Sequence, residues 1–223
     1  MPDDLVPIAP STMPRRFSGK RVLLVMLGLI VVAAIPAAVL PALSTRHKAP
    51  DIDDLGVIAP FHAIDERGQP FTEDALRGHP TIVSFIFTRC DTICPITTMK
   101  MARIQEKTFD AGAKIKLLSI SVDPAYDTPD KLAAYAEKYK ADPERWRFIT
   151  GTPGAIHDLV EGSFMTSMLR EEDRPGGIPN IAHGGYFMLV DGDLHIRGRY
   201  ESGDIYKLDE LIHAARYLSR TEK

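Results

Sequence analysis

Between Val22 and Leu43 the chain runs 22 residues without a charge, VLLVMLGLIVVAAIPAAVLPAL. This constrains the fold most, because so apolar a segment is not expected on the surface of a water-soluble domain. As a helix rising ~1.5 Å per residue it would span about 33 Å, against a hydrocarbon core of ~30 Å. A secretory signal has an apolar region of roughly 7–15 residues followed by small residues at a cleavage site. Val32-Ala33-Ala34 resembles such a site, but the length of the run favours a retained anchor. Pro36 and Pro41 fall in its last third, and bilayer spans tolerate kinks.

Charge divides the chain at the same place. Residues 1–48 hold six Lys/Arg (Arg15, Arg16, Lys20, Arg21, Arg46, Lys48) and two acids (Asp3, Asp4). The remainder has 21 basic side chains (27 less six) and 28 acidic ones (30 less two). A basic leader before an acidic body suggests two environments, and the overall charge of −3 gives no reason to expect nucleic-acid binding. Four cations precede the apolar run and two follow it closely, so the positive-inside rule places the N-terminus in the cytoplasm. Asp3 and Asp4 argue against a mitochondrial transit peptide. The expected organisation is a cytoplasmic 1–21, a single-pass anchor at 22–43, a linker at 44–56 and a periplasmic domain at 57–223, in a bacterial inner membrane.

The body alternates apolar runs with amphipathic stretches. VIAPFHAID and TIVSFIFT have strand character, and the second is nearly continuous apolar, as a central buried strand should be. RGQP between them predicts a turn. Pro95–Phe109 has helix composition, and KIKLLSISV predicts a strand. TPDKLAAYAEKY and TPGAIHDLVEG each open on Thr-Pro, a cap followed by a first-turn proline. RWRFITG predicts a strand, GGYFMLVDGDLHIRGRYE a hairpin around Asp191-Gly192, and DIYKLDELIHAARYLSR a final amphipathic helix. The pattern β-β-α-β-α-β-α-β-β-α predicts an α/β fold with a mixed sheet flanked by helices.

The chain has two cysteines, Cys90 and Cys94, in FIFTRCDTICPIT. They fall where the predicted central strand gives way to a helix, at the sheet end where open α/β folds place their chemistry. A helix N-terminus favours thiolate over thiol, and the thiolate is both nucleophile and metal ligand. A four-residue step puts two side chains on one helix face, ~5–6 Å apart at Cβ, whereas a disulfide needs about 3.5–4.5 Å. The residues alone leave three uses open: a structural disulfide, a redox dithiol, or a site for a soft metal such as Cu(I) or zinc. A structural disulfide is the weakest of these, since so short a loop removes little chain entropy.

Among seven histidines, His47 lies in the linker, and His157 and His213 fall in helical patterns expected to be solvated. His79 precedes the buried strand, His62 is expected to pack half-buried, and His195 to face solvent. His183 differs: it ends the polar REEDRPGGIPNIA segment immediately before a predicted buried strand. Its position allows it to join the cysteines as a ligand, although a lone histidine is more often structural. Asp91 offers either a carboxylate near the site or a helix cap, and Asp123 either a supporting carboxylate or a turn-forming Asp-Pro. Met165 and Met168 are read as core residues rather than thioether ligands.

FTRCDTICP, SISVDPAYDTPDKLAAYAEKY, RWRFITG and AHGGYFMLVDGDLHIRGRY, in that order, resemble the SCO/SenC family of membrane-anchored thioredoxin-like copper proteins, over roughly residues 57–218 plus the anchor. The resemblance implies a thioredoxin-like domain and one copper ion per chain, Cu(I) or Cu(II), held by Cys90, Cys94 and His183. It implies a role in assembling the CuA centre of a respiratory cytochrome c oxidase, by delivering copper or by reducing that site's cysteines. The implied partner is the oxidase copper subunit or another periplasmic copper or thiol protein. Two positions depart from the family pattern: Asp91 stands where a proline is usual, and Ala182 where an acid usually precedes the histidine. A periplasmic thiol–disulfide reductase and a copper or redox sensor use the same cysteine pair and are the alternatives.

Overall fold

The computed structural model describes residues 50, 52–166, 169–174, 178–182 and 185–221. The apolar run at 22–43, and with it the expected anchor, lies outside the described residues. Among those residues no helix is long and apolar enough to cross a membrane.

Among the described residues nine strands and four α-helices follow one another: β1 (Ala63–Asp65), β2 (Pro70–Phe71), β3 (Thr81–Ile86), α1 (Ile93–Lys107), β4 (Lys116–Ser121), α2 (Pro129–Lys138), β5 (Trp146–Thr150), α3 (Pro153–His157), β6 (Leu169–Arg174), β7 (Ile178–Ala182), β8 (Tyr186–Val190), β9 (Ile196–Glu201) and α4 (Ile205–Thr221). Seven strands form one sheet in the order β2-β1-β5-β4-β3-β8-β9. The centre, β3-β4-β5, is parallel, and the flanking strands pair antiparallel. This is the expected mixed sheet flanked by helices, a thioredoxin-like α/β fold.

The sequence explains the centre. All six residues of TIVSFI in β3 are buried, as expected of a central strand in a sheet flanked by helices. Both of its hydroxyls are matched: Thr81 Oγ1 donates to His79 O at 3.2 Å, and Ser84 bonds Ser119 across the sheet at 2.9 Å, where Trp146 Nε1 also donates to Ser119 at 3.0 Å. Trp146 stacks on Phe148, and Tyr135 of α2 meets Phe148 edge-on. Helices α1 and α4 run side by side in the same direction, since Lys107 pairs with Asp209 and Asp110 with Arg216. The topology also serves the site. Because β8 is antiparallel to β3, with Ser84 opposite Phe187, the start of β8 lies beside the end of β3.

Several details differ from the sequence reading. Helix α1 begins at Ile93, so Pro95 is its third residue rather than its first. Residues around Val57 contribute only an isolated bridge to His195, and β1 is a short hairpin arm against Pro70–Phe71. TPGAIHDLVEG breaks into a five-residue helix and a wide turn over Asp158–Ser163. Thr128 stands at the start of α2 without a side-chain capping bond, whereas Thr152 accepts one from Ala155 N at 3.3 Å. The segment read as a polar loop contains the antiparallel pair β6–β7. Met165 is not core: it is 59% exposed with φ +48°. His62 is exposed rather than half-buried.

Candidate metal and thiol centre

After β3 the chain turns through Phe87–Cys90, with Cys90 N donating to Phe87 O at 3.2 Å, and then enters α1. Thr92, not Asp91, holds the N-cap position, and its side chain makes no capping bond. The cap comes from sulfur: Cys90 Sγ accepts the Cys94 N–H at 3.5 Å and lies 3.6 Å from Thr92 Oγ1. The helix therefore donates one of its otherwise unmatched N–H groups to a cysteine. Pro95 has no N–H to satisfy. The first turn is fixed further by Thr98 Oγ1, which donates to Cys94 O at 2.8 Å and bonds Tyr135 OH at 2.9 Å.

The two cysteines are not joined in a disulfide, and they are unequal. The Cys94 S–H donating to Cys90, with the Cys94 and Thr92 N–H groups and the Thr92 hydroxyl, holds Cys90 well below the ordinary thiol range, and these outweigh the opposing effect of burial. Cys94 is pushed the other way, first because it is that donor and then by burial. Cys90 retains 5% exposure and Cys94 none. Cys90 is thus the sulfur biased toward thiolate, with slight exposure, and Cys94 the one biased toward the protonated form, with none.

Asp123 is buried and paired with Arg89, Nε to Oδ2 at 2.7 Å. Its carbonyl also accepts from Tyr126 N and Asp127 N, both at 2.9 Å, so its side chain pairs with Arg89 while its backbone forms the turn. Arg89, next to Cys90, lies over the Tyr126 ring at 4.3 Å, and Lys131 lies over that ring at 3.3 Å. Asp91 is exposed beside the pair. His183 and Met168 lie outside the described residues. Gly185, two positions after His183, is described: a Cβ there would come within 2.8 Å of both Ile93 Cδ1 and Ser202 Oγ. The chain entering β8 thus abuts the first residue of the cysteine helix. Among the other histidines, His195 Nδ1 contacts Asp54 at 3.1 Å, and exposed His157 pairs with Glu161. Among the described residues no group of three His, Cys, Asp or Glu side chains is arranged to hold a metal.

Sequence reasoning missed Asp127. It is fully buried and accepts from Thr88 N at 3.1 Å, from Ser121 Oγ at 2.6 Å and from the Thr88 hydroxyl. Burial pushes its carboxyl above the usual range, against the hydrogen bonds from Ser121 and Thr88. Its Asp-Thr-Pro context reads as a helix start, which hides this role.

A thioredoxin-like sheet with an unequal dithiol at the strand–helix junction defines a class of proteins that work through paired sulfurs. Residues 50–217 match the SCO1/SenC family, and the chain belongs to that family. A candidate copper-binding protein of Stutzerimonas stutzeri is 30% identical over 155 residues, 69% of this chain and 72% of that one. The crystal structure of a SCO1/SenC family lipoprotein from Bacillus anthracis is similar with a TM-score of 0.67 and 26% identity, covering 75% of this chain and 98% of that one. BsSco, a member of the Sco family of cytochrome c oxidase assembly proteins in which a disulfide switch was identified, is similar with a TM-score of 0.65 and 28% identity, covering 76% and 97%.

Proposed function

We propose that this chain is a membrane-tethered copper-binding assembly factor. It carries one copper ion on Cys90, Cys94 and His183, and delivers that ion to, or reduces the cysteines of, the CuA site of a respiratory cytochrome c oxidase. One observation carries the reading: two cysteines with no disulfide between them meet at a helix N-terminus, where Cys90 Sγ accepts the Cys94 N–H at 3.5 Å. Soft sulfur donors with an imidazole select Cu(I) by ligand type, and the positive helix end favours the anionic sulfur. The similar copper-binding and oxidase-assembly proteins support the same cargo and client. Copper is cargo here, not a resident catalyst. Ligands drawn from separate stretches of the chain, Cys90 before helix α1, Cys94 within its first turn and His183 far along the sequence, let an incoming thiolate replace them one at a time. A lipoprotein of the family supports tethering to a membrane, which on this chain falls to residues 22–43.

The inequality of the thiols also favours a second use of the same atoms. Cys90 thiolate attacks a client disulfide, forming a mixed disulfide and releasing one client thiolate. Cys94 then gives up its proton and attacks Cys90 Sγ, releasing the second client thiolate and leaving a Cys90–Cys94 disulfide. The client gains two electrons and this chain loses two. Both uses need both cysteines, so the disulfide form carries no copper at this site.

The test is a metal and thiol count on the purified protein with and without reductant, followed by Cu(I) titration. The reduced parent should bind one equivalent. The oxidised protein, with no free thiol, should bind none at this site, and His183→Ala should weaken binding by more than about tenfold, since even the groups that merely orient a metal ligand are worth roughly 10–100-fold. Copper bound equally by oxidised and reduced protein would sink the three-ligand reading. Equal binding by His183→Ala and the parent would leave the reductase reading standing alone.

A further inference from the structure

We infer that Asp127 is a positioning residue for the cysteine loop: its buried carboxylate ties the end of β3 to the end of β4 and so holds Cys90 and Cys94 in the open dithiol arrangement. This rests on the reading of Cys90 and Cys94 as the working pair. Asp127 sits at the head of α2, away from both cysteines in sequence, yet both oxygens are spent on the strands that flank the site. Oδ1 takes the Thr88 hydroxyl, and Oδ2 takes Thr88 N and Ser121 Oγ. Ser121 Oγ in turn accepts Asp123 N at 3.2 Å, and Asp123 holds Arg89. Thr88 and Arg89 are the two residues that lead into Cys90. A single carboxylate therefore organises both sides of the turn into the helix. A core Asp with full burial demands such partners, since an unmatched buried charge is strongly disfavoured. The partners chosen here are Thr88, just past β3, and Ser121, the last residue of β4, not groups of the helix, although Asp127 precedes a helix and helix capping would have been the ordinary use of this residue. Closing the Cys90–Cys94 bond must bring the sulfurs together and tighten the first turn of α1. The clamp resists that movement because Thr88 N and its hydroxyl are fixed two residues upstream.

The consequence is measurable in two ways. In the first, the protein is equilibrated with glutathione: protein dithiol plus glutathione disulfide gives protein disulfide plus two glutathione, and the equilibrium constant is read from thiol counts. In the second, Cu(I) is titrated against a chelator. Asp127→Asn should shift the thiol–disulfide equilibrium about tenfold toward disulfide, and Thr88→Val in the same direction by less, as expected for losing charge-assisted bonds that favour one state. Thr88→Ser, which restores the hydroxyl, should return to the parent value. Ser84→Ala, which breaks a buried bond in β3 away from the site, is the control; it should lower the melting temperature without moving the equilibrium. If Asp127→Asn does not fold, the Thr88 pair decides the matter. Unchanged equilibria in Thr88→Val, or a shift in Ser84→Ala as large as in Thr88→Val, overturn the inference. A parent that binds no copper while Thr88→Val still shifts the thiol equilibrium refutes the copper function and upholds the clamp.

Discussion

At the scale of single residues, equal spacing conceals unequal chemistry. Cys90 and Cys94 are both cysteines at one helix start, but one accepts and the other donates. Alkylation reads this directly, because only thiolate reacts and the rate climbs until the thiol is fully ionised. For the reduced parent, the iodoacetamide rate at Cys90 should level off well below the pH of about 8.5 where an ordinary thiol is half ionised. Peptide mapping should find Cys90 modified and Cys94 spared. Cys94→Ala removes the S–H donor, so the Cys90 profile should move upward in pH. A parent rate still rising steeply at about pH 8.5 contradicts the assignment of donor and acceptor. The same inequality makes Cys90 the attacking sulfur in any exchange reaction, since Cys94 has no exposed surface.

At the scale of elements, the close approach of β8 to α1 carries a second prediction. Gly185 has no room for a methyl group: Ile93 Cδ1 and Ser202 Oγ stand 2.8 Å from where Cβ would go. Gly185→Ala should destabilise the domain by about 1–3 kcal/mol, the cost of overpacking a filled site. Pairing it with Ile93→Val should recover part of the loss in chemical denaturation; no recovery would mean the clash lies with Ser202 instead. The elements themselves were legible to different degrees. TIVSFI announces its own place, because only a central strand is apolar on both faces, and Thr-Pro starts α2 and α3 where expected. The β6–β7 pair was not legible: LREEDR and IPNIA carry charge and proline in place of an apolar alternation, and their pairing is set by the backbone. The Cys90 cap was hidden as well, since Asp and Thr precede the helix and are the usual caps, while a sulfur acceptor leaves no sequence signature. The cysteine pair and Asp123 could be picked out locally. Asp127 could not, because its partners Thr88 and Ser121 come from two different strand ends.

At the scale of the whole molecule, the basic leader and apolar run bear on where the dithiol works. If residues 22–43 anchor the chain with the N-terminus inside, a periplasm-dependent reporter fused after Lys223 should be active and a cytoplasm-dependent one silent. A soluble mature form beginning near Ile35 would mean that the run is a cleaved signal. Tethering confines the dithiol to a layer near the membrane and raises its effective concentration toward a membrane-bound client without any new contact. The sheet order has a consequence of another kind, in the timing of synthesis. β3 leads directly to Cys90, yet one of its two neighbours is β8, with Ser84 opposite Phe187. About 100 residues separate them, and at 5–20 residues per second a ribosome needs roughly 5–20 s to supply the second after the first. For that interval every newborn chain holds both thiols beside an open sheet edge. β3 and both cysteines are made long before the strand that closes that edge of the sheet.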